Sequence, residues 1–210
     1  DKGRNKAELF IDQLSLKPNK YTIWIGEDEL KILTDALQNA KNYLEFGSGG
    51  STYTSLLYSN ANIISVESDP EWLDYMRKWR LIRNNENKRL ILYHANIGKT
   101  TEGGYPINKE KDASFIGYSK KVFKDFPRDY DVVLIDGRFR TACALQTILN
   151  TKDEVLILWH DFTNRPYYHE ILKFLEIKKN TGTMVLLTKK KNINKKEVEK
   201  MFEKYQYDAR

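Results

Sequence analysis

Several features that would place this chain of 210 residues in a specialised class are missing. Cys143 is the single cysteine, so an intramolecular disulfide is impossible, and a reducing, cytoplasmic location is expected. No apolar run reaches the length of a membrane span, and the first residues lack a signal-peptide pattern. Internal repeats and low-complexity linkers are also absent. These absences exclude disulfide scaffolds, membrane-spanning proteins and repeat arrays.

The residues that are present indicate a folded domain. Hydrophobic residues make up 40% of the chain and aromatic residues 12%, which suits a buried core rather than a disordered chain. We expect a single domain over 1–210, with an N-terminal arm at 1–26, a core at 27–188 and a basic C-terminal helix at 189–210. Because the chain opens on Asp1, we expect it to be excised from a longer protein.

The formal net charge of +6 is concentrated near the end of the chain. Lysines fill positions 189–191 and 195–196, and such runs are typical of a solvated surface. No RNA-recognition, zinc-finger or helix-turn-helix signature accompanies them. Nucleic acid is therefore not expected as the partner, whereas an acidic glycan or a nucleotide-linked acceptor is compatible with the charge.

Short apolar runs alternate with longer amphipathic segments, a pattern typical of parallel βα units. The predicted strands are 43–46, 63–66, 90–93, 132–135, 155–159 and 183–188, with a short partner strand near Ile177. The predicted helices are 27–40, 51–59, 70–82, 117–125, 139–149 and 166–175. The alternation predicts an α/β fold with a doubly wound, mostly parallel sheet.

The segment 43–52, Tyr-Leu-Glu-Phe-Gly-Ser-Gly-Gly-Ser-Thr, predicts a buried strand that turns through glycines into a helix. Gly47, Gly49 and Gly50 lack a Cβ, so a ligand can lie against bare backbone. The helix that follows presents unpaired N–H groups and a positive dipole end. This layout favours a nucleoside cofactor at the end of the strand.

Two carboxylates and two hydroxyl groups complete this pattern. Ser51 or Thr52 is expected to cap the helix. Glu67 ends the next strand, where its carboxylate can accept hydrogen bonds from both hydroxyls of a ribose. A dinucleotide enzyme normally shows G-x-G-x-x-G, but the third glycine is missing here and the acidic Glu45 precedes the loop.

The motif Glu45-x-Gly47-x-Gly49 resembles the acidic-glycine signature of class I S-adenosylmethionine-dependent methyltransferases. Ser51 occupies the third small-residue position of that signature, where a glycine is usual. The resemblance covers roughly residues 25–190. It implies a Rossmann-like doubly wound sheet of seven mostly parallel strands with helices on both faces. It also implies S-adenosylmethionine as the cofactor.

The resemblance further implies which residues contact that cofactor. The implied set is Glu45, Gly47, Ser48, Gly49, Gly50, Ser51, Thr52, Glu67, Ser68, Asn96, Ile97 and Asp136. Within it, Asn96 would bond the adenine edge and Ile97 would supply an apolar wall. Asp136 would meet the amino group or the sulfonium side of the methionine part.

A narrower resemblance concerns the segment 136–144, Asp-Gly-Arg-Phe-Arg-Thr-Ala-Cys-Ala, which is similar to methyltransferases of polysaccharide and glycan biosynthesis. The Asn/Asp-Pro-Pro-Tyr signature of amino-directed enzymes is absent, which disfavours N-methylation. We therefore predict methylation of a hydroxyl, with a sugar of a glycan as the favoured acceptor. The alternatives are an RNA or small-molecule methyltransferase, a nicotinamide oxidoreductase on the same fold, and a non-catalytic binding module.

The candidate catalytic residues follow two apolar runs. Asp136 ends one predicted strand, and His160 and Asp161 end another, so all three are expected at one edge of the sheet. Methyl transfer to an alcohol requires alignment and removal of a proton, and either Asp161 or His160 could be the base. Alternatively, Asp136 and Asp161 could hold a divalent cation, Mg²⁺ or Mn²⁺, that activates the hydroxyl.

Residues outside these strand ends could bind or cover a substrate. Arg138 and Arg140 could clamp a carboxylate, a phosphate or sugar hydroxyls in a fork geometry, or could form ordinary surface ion pairs. The glycine-containing stretch 103–111 is either a cover for the substrate or a surface loop. Tyr21, Thr22 and Trp24 are expected either to fold over the ligands or to pack on the first helix.

Overall fold

A computed structural model describes residues 23–108 and 110–210, together with Ala7. The strands are β1 Asn42–Phe46, β2 Asn62–Glu67, β3 Leu90–His94, β4 Val132–Ile135, β5 Leu156–Trp159, β6 Leu175–Thr181 and β7 Met184–Lys189. The α-helices are α1 Glu27–Leu37, α2 Gly50–Tyr58, α3 Pro70–Met76, α4 Arg80–Asn85, α5 Ala113–Asp125, α6 Arg140–Asn150 and α7 Lys195–Tyr205. A 3-10 helix occupies Pro166–Lys173.

The strands form one seven-stranded sheet in the order β3-β2-β1-β4-β5-β7-β6. The first five strands in this order are paired in parallel, and β7 is antiparallel to both β5 and β6. The chain runs outward from β1 in one direction and then restarts at β4 on its other side, so a crevice opens between their carboxyl ends. The predicted fold class is confirmed.

The sheet is covered by hydrophobic clusters on both faces. Along β1 and β4, Leu44 and Val133 pack in one cluster, whereas Tyr43 and Val132 pack in the other. Successive side chains of a strand point to opposite faces, so a strand buried on both faces is apolar at most of its positions. This explains why the central strands could be recognised as runs rich in apolar residues.

The helix predicted at 70–82 divides into α3 and α4. Asp69 caps α3 by accepting hydrogen bonds from the backbone of Glu71 and Trp72. Trp79 then adopts an extended conformation before α4. Its indole is fully buried and packs edge-on against Tyr53 at the point where the helical pattern is interrupted.

Other boundaries differ by smaller amounts. The helix predicted at 51–59 starts one residue earlier with Gly49 as its N-cap, so the predicted caps Ser51 and Thr52 lie inside α2. The helix predicted from 117 starts at Ala113 because Asp112 caps it, accepting a hydrogen bond from Ser114 N at 2.7 Å. The segment predicted at 166–175 forms the 3-10 helix instead of an α-helix.

The end of the chain fixes the start of α6. Phe139 lies in the left-handed region with a φ of +53°, and its N–H donates to the carbonyl oxygen of Ala209 at 3.3 Å. The N–H of Arg140 donates to the carbonyl oxygen of Arg210 at 2.9 Å. The first amides of a helix lack partners within the helix, and here the C-terminal residues supply them.

Among the described helices, none is both long and apolar enough to cross a membrane.

Candidate active site

The carboxyl ends of β1, β2 and β4 surround a cavity of about 530 Å³, called here the first cavity. Its wall includes the glycine loop 47–51, Glu67 at the end of β2, the turn 102–104 and the loop 136–138 after β4. Cavities of about 300–1,000 Å³ are usual for small molecules and cofactors. The crevice of the sheet therefore has the size of a ligand site.

Two loops meet through bare backbone at the base of the first cavity. Gly47 has a φ of +100°, and a Cβ there would lie 2.6 Å from the backbone nitrogen of Gly137. Conversely, a Cβ on Gly137 would lie 2.7 Å from the nitrogen of Gly47. Because neither position can accept a side chain, both glycines are required for this approach of β1 and β4 loops.

Glu45 lies behind the glycine loop and is fully buried. Its carboxylate accepts hydrogen bonds from Tyr43 Oη at 2.9 Å, from Ser51 Oγ at 2.9 Å, from Ser65 Oγ at 2.6 Å and from Thr52 Oγ1. Since these hydroxyl groups surround the carboxylate, Glu45 does not line the first cavity. Its implied contact with a cofactor stays a prediction, whereas in the structure it anchors α2 to the sheet.

The ionisation of Glu45 should be visible in the pH dependence of stability. Burial raises the pKa of Glu45 from 4.5 to about 7, against the opposing effect of the hydroxyl hydrogen bonds. Folding therefore favours the protonated carboxyl, and this contribution is lost as the pH rises from about 4.5 to 7. Relative to Glu45→Gln, the wild type should lose about 3 kcal/mol of unfolding free energy across that window.

Urea unfolding of both proteins between pH 4.5 and pH 8 measures this difference at each pH. Glu154→Gln, at an exposed position, is the control and should show a constant difference from the wild type. A constant difference for Glu45→Gln as well would show that Glu45 is ionised throughout.

Glu67 closes the first cavity at the end of β2 and is 9% exposed. Its Oε1 accepts hydrogen bonds from the backbone nitrogens of Ser68 at 2.7 Å and Asp69 at 3.0 Å. Its Oε2 receives one longer bond, from the nitrogen of Ser48 at 3.3 Å. Burial raises the pKa of Glu67, against these backbone hydrogen bonds. The carboxylate is held rigidly and retains acceptor capacity toward the cavity.

The start of the predicted cover loop lies over this carboxylate. Ser68 Oγ donates a hydrogen bond to the carbonyl oxygen of Gly104 at 3.1 Å. Gly104 has a φ of +75°, and a Cβ there would lie 2.8 Å from Oγ of Ser68 and 3.3 Å from Oε1 of Glu67, so a side chain is disfavoured at this position. The residues 102–104 therefore form part of the cavity wall.

Arg138 lies on the Glu67 side of the first cavity. Its guanidinium group stacks on the ring of Tyr105, with 4.0 Å between Cζ and the ring centroid. Its Nη1 is buried and has no hydrogen-bond partner among the described residues. A guanidinium group with unused donors at a cavity wall can bind an acceptor atom or stack on a planar ring. Its predicted role in substrate binding stays a prediction.

Arg140, in contrast, is 3% exposed. Its guanidinium nitrogens donate to three carbonyl oxygens, those of Gly137 at 3.0 Å, His160 at 2.6 Å and Asp136 at 3.1 Å. All three bonds lie between the ends of β4 and β5. The predicted role of Arg140 in clamping a substrate stays a prediction, whereas in the structure its donors link the loop after β4 to the end of β5.

The sequence did not indicate two residues that line the first cavity. Trp72, in the first turn of α3, donates from Nε1 to the carbonyl oxygen of Ser48 at 2.8 Å and so holds the glycine loop. Tyr118 of α5 accepts a hydrogen bond from Arg138 N at 3.3 Å. The Asp69 cap could have drawn attention to Trp72, but no local signal marks Tyr118.

Other predicted residues lie beside the first cavity. Asn96 Oδ1 accepts a hydrogen bond from Gly98 N at 2.9 Å, and Ile97 is 2% exposed, but neither lines the cavity. Their implied contacts with adenine stay predictions. Tyr21 and Thr22 lie outside the described residues.

A second cavity of about 510 Å³ adjoins the first, and Trp24, which is 82% exposed, lines both. Its walls are 26–29 at the start of α1, 160–161 after β5 and 181–183 between β6 and β7. The predicted catalytic residues after β5 therefore face the second cavity, whereas Asp136 faces the first.

His160 lies between two carboxylates. Its Nδ1 is 2.9 Å from Oδ1 of Asp136, and its Nε2 is 3.4 Å from Oε2 of Glu29. An ionised carboxylate only accepts hydrogen bonds, so both ring nitrogens face acceptors and the doubly protonated ring is favoured. Burial alone would lower the pKa of His160, but Asp136, Asp161 and Glu29 raise it overall.

Asp161 adopts a left-handed conformation with a φ of +57°, which is uncommon for a residue with a side chain. Its Oδ2 accepts a hydrogen bond from Arg165 Nη2 at 2.6 Å and lies 3.6 Å from Arg140 Nη1. The strained backbone directs a carboxylate to the wall of the second cavity.

Solved structures share this architecture. A methyltransferase-like protein from Silicibacter pomeroyi DSS-3 has a TM-score of 0.78 at 28% sequence identity, covering 91% of this chain and 100% of that chain. The chain has the class I methyltransferase fold. No protein-family model matches the sequence, and neither does any curated protein sequence.

Two more distant structures share the methyltransferase fold. A proposed caffeoyl-CoA O-methyltransferase from Staphylococcus aureus has a TM-score of 0.59 at 13% identity, covering 89% of this chain and 99% of that chain. An O-methyltransferase from Bacillus cereus, solved in complex with S-adenosylhomocysteine (SAH), has a TM-score of 0.54 at 15% identity, covering 90% and 91%. At these identities the likeness concerns the fold alone.

Proposed function

We propose that this protein transfers a methyl group from S-adenosylmethionine to a hydroxyl, with a sugar of a glycan as the favoured acceptor. The observation that carries the proposal is the wall between the two cavities. Asp136 lines the first cavity, His160 lines the second, and their side chains are 2.9 Å apart. Two ligands bound in adjoining cavities can be aligned for a direct displacement.

The residues of the first cavity fit a nucleoside cofactor. Glu67 presents a fixed carboxylate oxygen with acceptor capacity, which suits ribose hydroxyls. The backbone of Gly49, at the N-terminus of α2, lines this cavity and suits polar groups of the ligand. When bound, S-adenosylmethionine supplies an electrophilic methyl group on a positively charged sulfur.

Asp161 is the favoured base in this proposal. Both nitrogens of His160 face carboxylates, so the ring has no free position to accept a proton. Asp161 lines the second cavity, and one of its carboxylate oxygens is held by Arg165. The other oxygen can accept the proton of an acceptor hydroxyl, which raises the nucleophilicity of the oxygen.

A sugar acceptor is supported by chemistry and by resemblance. The exposed indole of Trp24 offers a flat apolar surface at the second cavity, and Glu27 and Asp28 offer hydrogen-bond acceptors for hydroxyl groups. The segment 136–144 adds its similarity to enzymes of glycan biosynthesis.

Calorimetric titration with SAH and, separately, with NADH tests the cofactor. Micromolar binding of SAH alone is expected, and transfer of labelled methyl groups to a panel of glycans then tests the acceptor. Binding of NADH alone would replace the proposal with a nicotinamide oxidoreductase. Binding of neither would leave a non-catalytic module.

Glu67→Ala should weaken SAH binding at least about tenfold. Each hydrogen bond to a charged group contributes about 1.5–3 kcal/mol, and about 1.4 kcal/mol corresponds to a factor of ten in affinity. Glu71→Ala is the matched control, because Glu71 is exposed on α3 and does not line the first cavity. An affinity for SAH that is equal in both variants would remove Glu67 from the binding site.

A further inference from the structure

The edge formed by β4 and β5 offers the donor set of a metal site. Asp136, His160 and Asp161 each provide one ligand atom, and these atoms lie within 4.8 Å of one another. Carboxylate oxygens at such a site suit a hard divalent cation such as Mg²⁺ or Mn²⁺. Whether a cation fits depends on the charges that already surround these groups.

A guanidinium group already lies between the two carboxylates. Nη2 of Arg140 is 3.3 Å from Oδ1 of Asp136, and its Nη1 is 3.6 Å from Oδ2 of Asp161. A guanidinium group of arginine keeps its positive charge in proteins. Arg140 also cannot turn away without breaking its three hydrogen bonds to backbone carbonyl oxygens.

The candidate ligand atoms of Asp136 and Asp161 also have other positively charged or hydrogen-bonding partners. Arg165 holds Oδ2 of Asp161 at 2.6 Å, and His160 holds Oδ1 of Asp136 at 2.9 Å. A divalent ion bound here would be close to the guanidinium groups of Arg140 and Arg165. To become a ligand, the imidazole of His160 would have to give up either its hydrogen bond to Asp136 or its ion pair with Glu29. Like charges at such distances repel strongly in a partly buried site. The residues present therefore do not fit a divalent cation.

We propose that the buried guanidinium group of Arg140 supplies the positive charge that neutralises the carboxylates at this edge, and that the protein needs no divalent metal there. The guanidinium group balances the charges of Asp136 and Asp161 and fixes their separation through the carbonyl oxygens of Asp136 and His160. Arg140 is thus a positioning residue that keeps the two carboxylates at the wall between the cavities. The statement that methyl transfer needs no metal rests on the proposed function. The statement that this edge does not bind a divalent ion is independent of it.

Titration of the whole chain with Mn²⁺, Mg²⁺ and Ca²⁺ tests the proposal. Binding of Mn²⁺ is monitored by paramagnetic resonance, and the effect of each ion on stability is measured by thermal unfolding. We expect no saturable binding at this edge and no rise in Tm. The variant Asp161→Asn shows whether any bound ion lies at this edge, because it removes one of the candidate ligands. Absence of binding, or binding that Asp161→Asn leaves unchanged, supports the proposal. Saturable binding of one ion that Asp161→Asn abolishes would overturn it.

Arg140→Gln gives a second readout. If the guanidinium group takes the place of a metal, removing its charge should let Mn²⁺ raise the Tm of this variant but not of the wild type or of Arg140→Lys. A variant that folds and shows no such rise would contradict the charge-balancing role. If Arg140→Gln fails to fold, the wild-type titration decides alone.

Activity separates this proposal from the proposed function. Prolonged treatment with EDTA should leave SAH binding and methyl transfer unchanged. Loss of transfer that Mn²⁺ or Mg²⁺ restores would overturn metal independence while supporting the methyltransferase proposal. Failure to bind SAH at all would contradict the proposed function and leave the metal-binding result standing.

Discussion

Asp161→Asn is expected to lower kcat for methyl transfer at least about 100-fold, because a positioned general base contributes about 10²–10⁴-fold to such reactions. The amide keeps the size of the side chain and can still accept a hydrogen bond from Arg165, but it cannot take up a proton. SAH affinity should stay close to the wild-type value, since Asp161 lines the second cavity and not the first.

The measurement is transfer of labelled methyl groups to the acceptor found in the glycan screen, at saturating S-adenosylmethionine. Asp153→Asn is the matched control, because it removes one exposed carboxylate ahead of β5 and should leave kcat unchanged. If Asp161→Asn keeps kcat within a few-fold of wild type, the proton must leave by another route. The catalytic assignment would then pass to Asp136.

Gly47→Ala should destabilise the protein by about 3–5 kcal/mol, the combined effect of a strained backbone and an overpacked contact. The backbone φ of +100° disfavours any side chain, and the new Cβ would lie 2.6 Å from the nitrogen of Gly137. Relieving that overlap must move the glycine loop away from the loop after β4. SAH binding should fall together with stability, because both loops line the first cavity.

Gly98→Ala separates these two causes. Gly98 also has a positive φ, +85°, but a Cβ there would have no neighbour within 4 Å. This control should therefore show the strain alone, about 1–2 kcal/mol. Urea unfolding and SAH titration of both variants measure the difference. Equal losses would mean that the contact between Gly47 and Gly137 adds nothing to stability.

Local sequence signals were sufficient for most of the fold. Runs rich in apolar residues located β1 to β5, because most positions of a strand buried on both faces are apolar. Glu45 in β1 and Ser65 in β2 are buried exceptions that hydrogen-bond each other. The predicted start at residue 70 agrees with the start of α3, because the Asp69 cap and Pro70 act through residues close in sequence. The interruption at Trp79 could not be predicted, because no glycine or proline lies between Glu71 and Asn85 to mark it.

The candidate site divides in the same way. Glycines at 47, 49 and 50 and the carboxylate of Glu67 could be predicted, because a strand, a turn and a helix follow one another within one βα unit. The acidic residues in the first turn of α1, among them Glu29, are a local feature that the helix dipole favours. The contacts of Glu29 with Thr183 and His160 could not be predicted, because these residues are distant in sequence.

Local sequence patterns were enough to predict the sheet, the glycine loop and the edge at which Asp136, His160 and Asp161 lie. Which charged groups keep unused hydrogen-bonding atoms depends on the tertiary structure. Glu29 accepts a hydrogen bond from Thr183 N at 2.7 Å, across 154 residues, and so lies near His160. Arg140 is buried between two strand ends, whereas Arg138, two residues away, lines the first cavity. The reason is physical: periodicity and capping act over a few residues, but burial of a charge depends on distant partners that exist only once the sheet has formed.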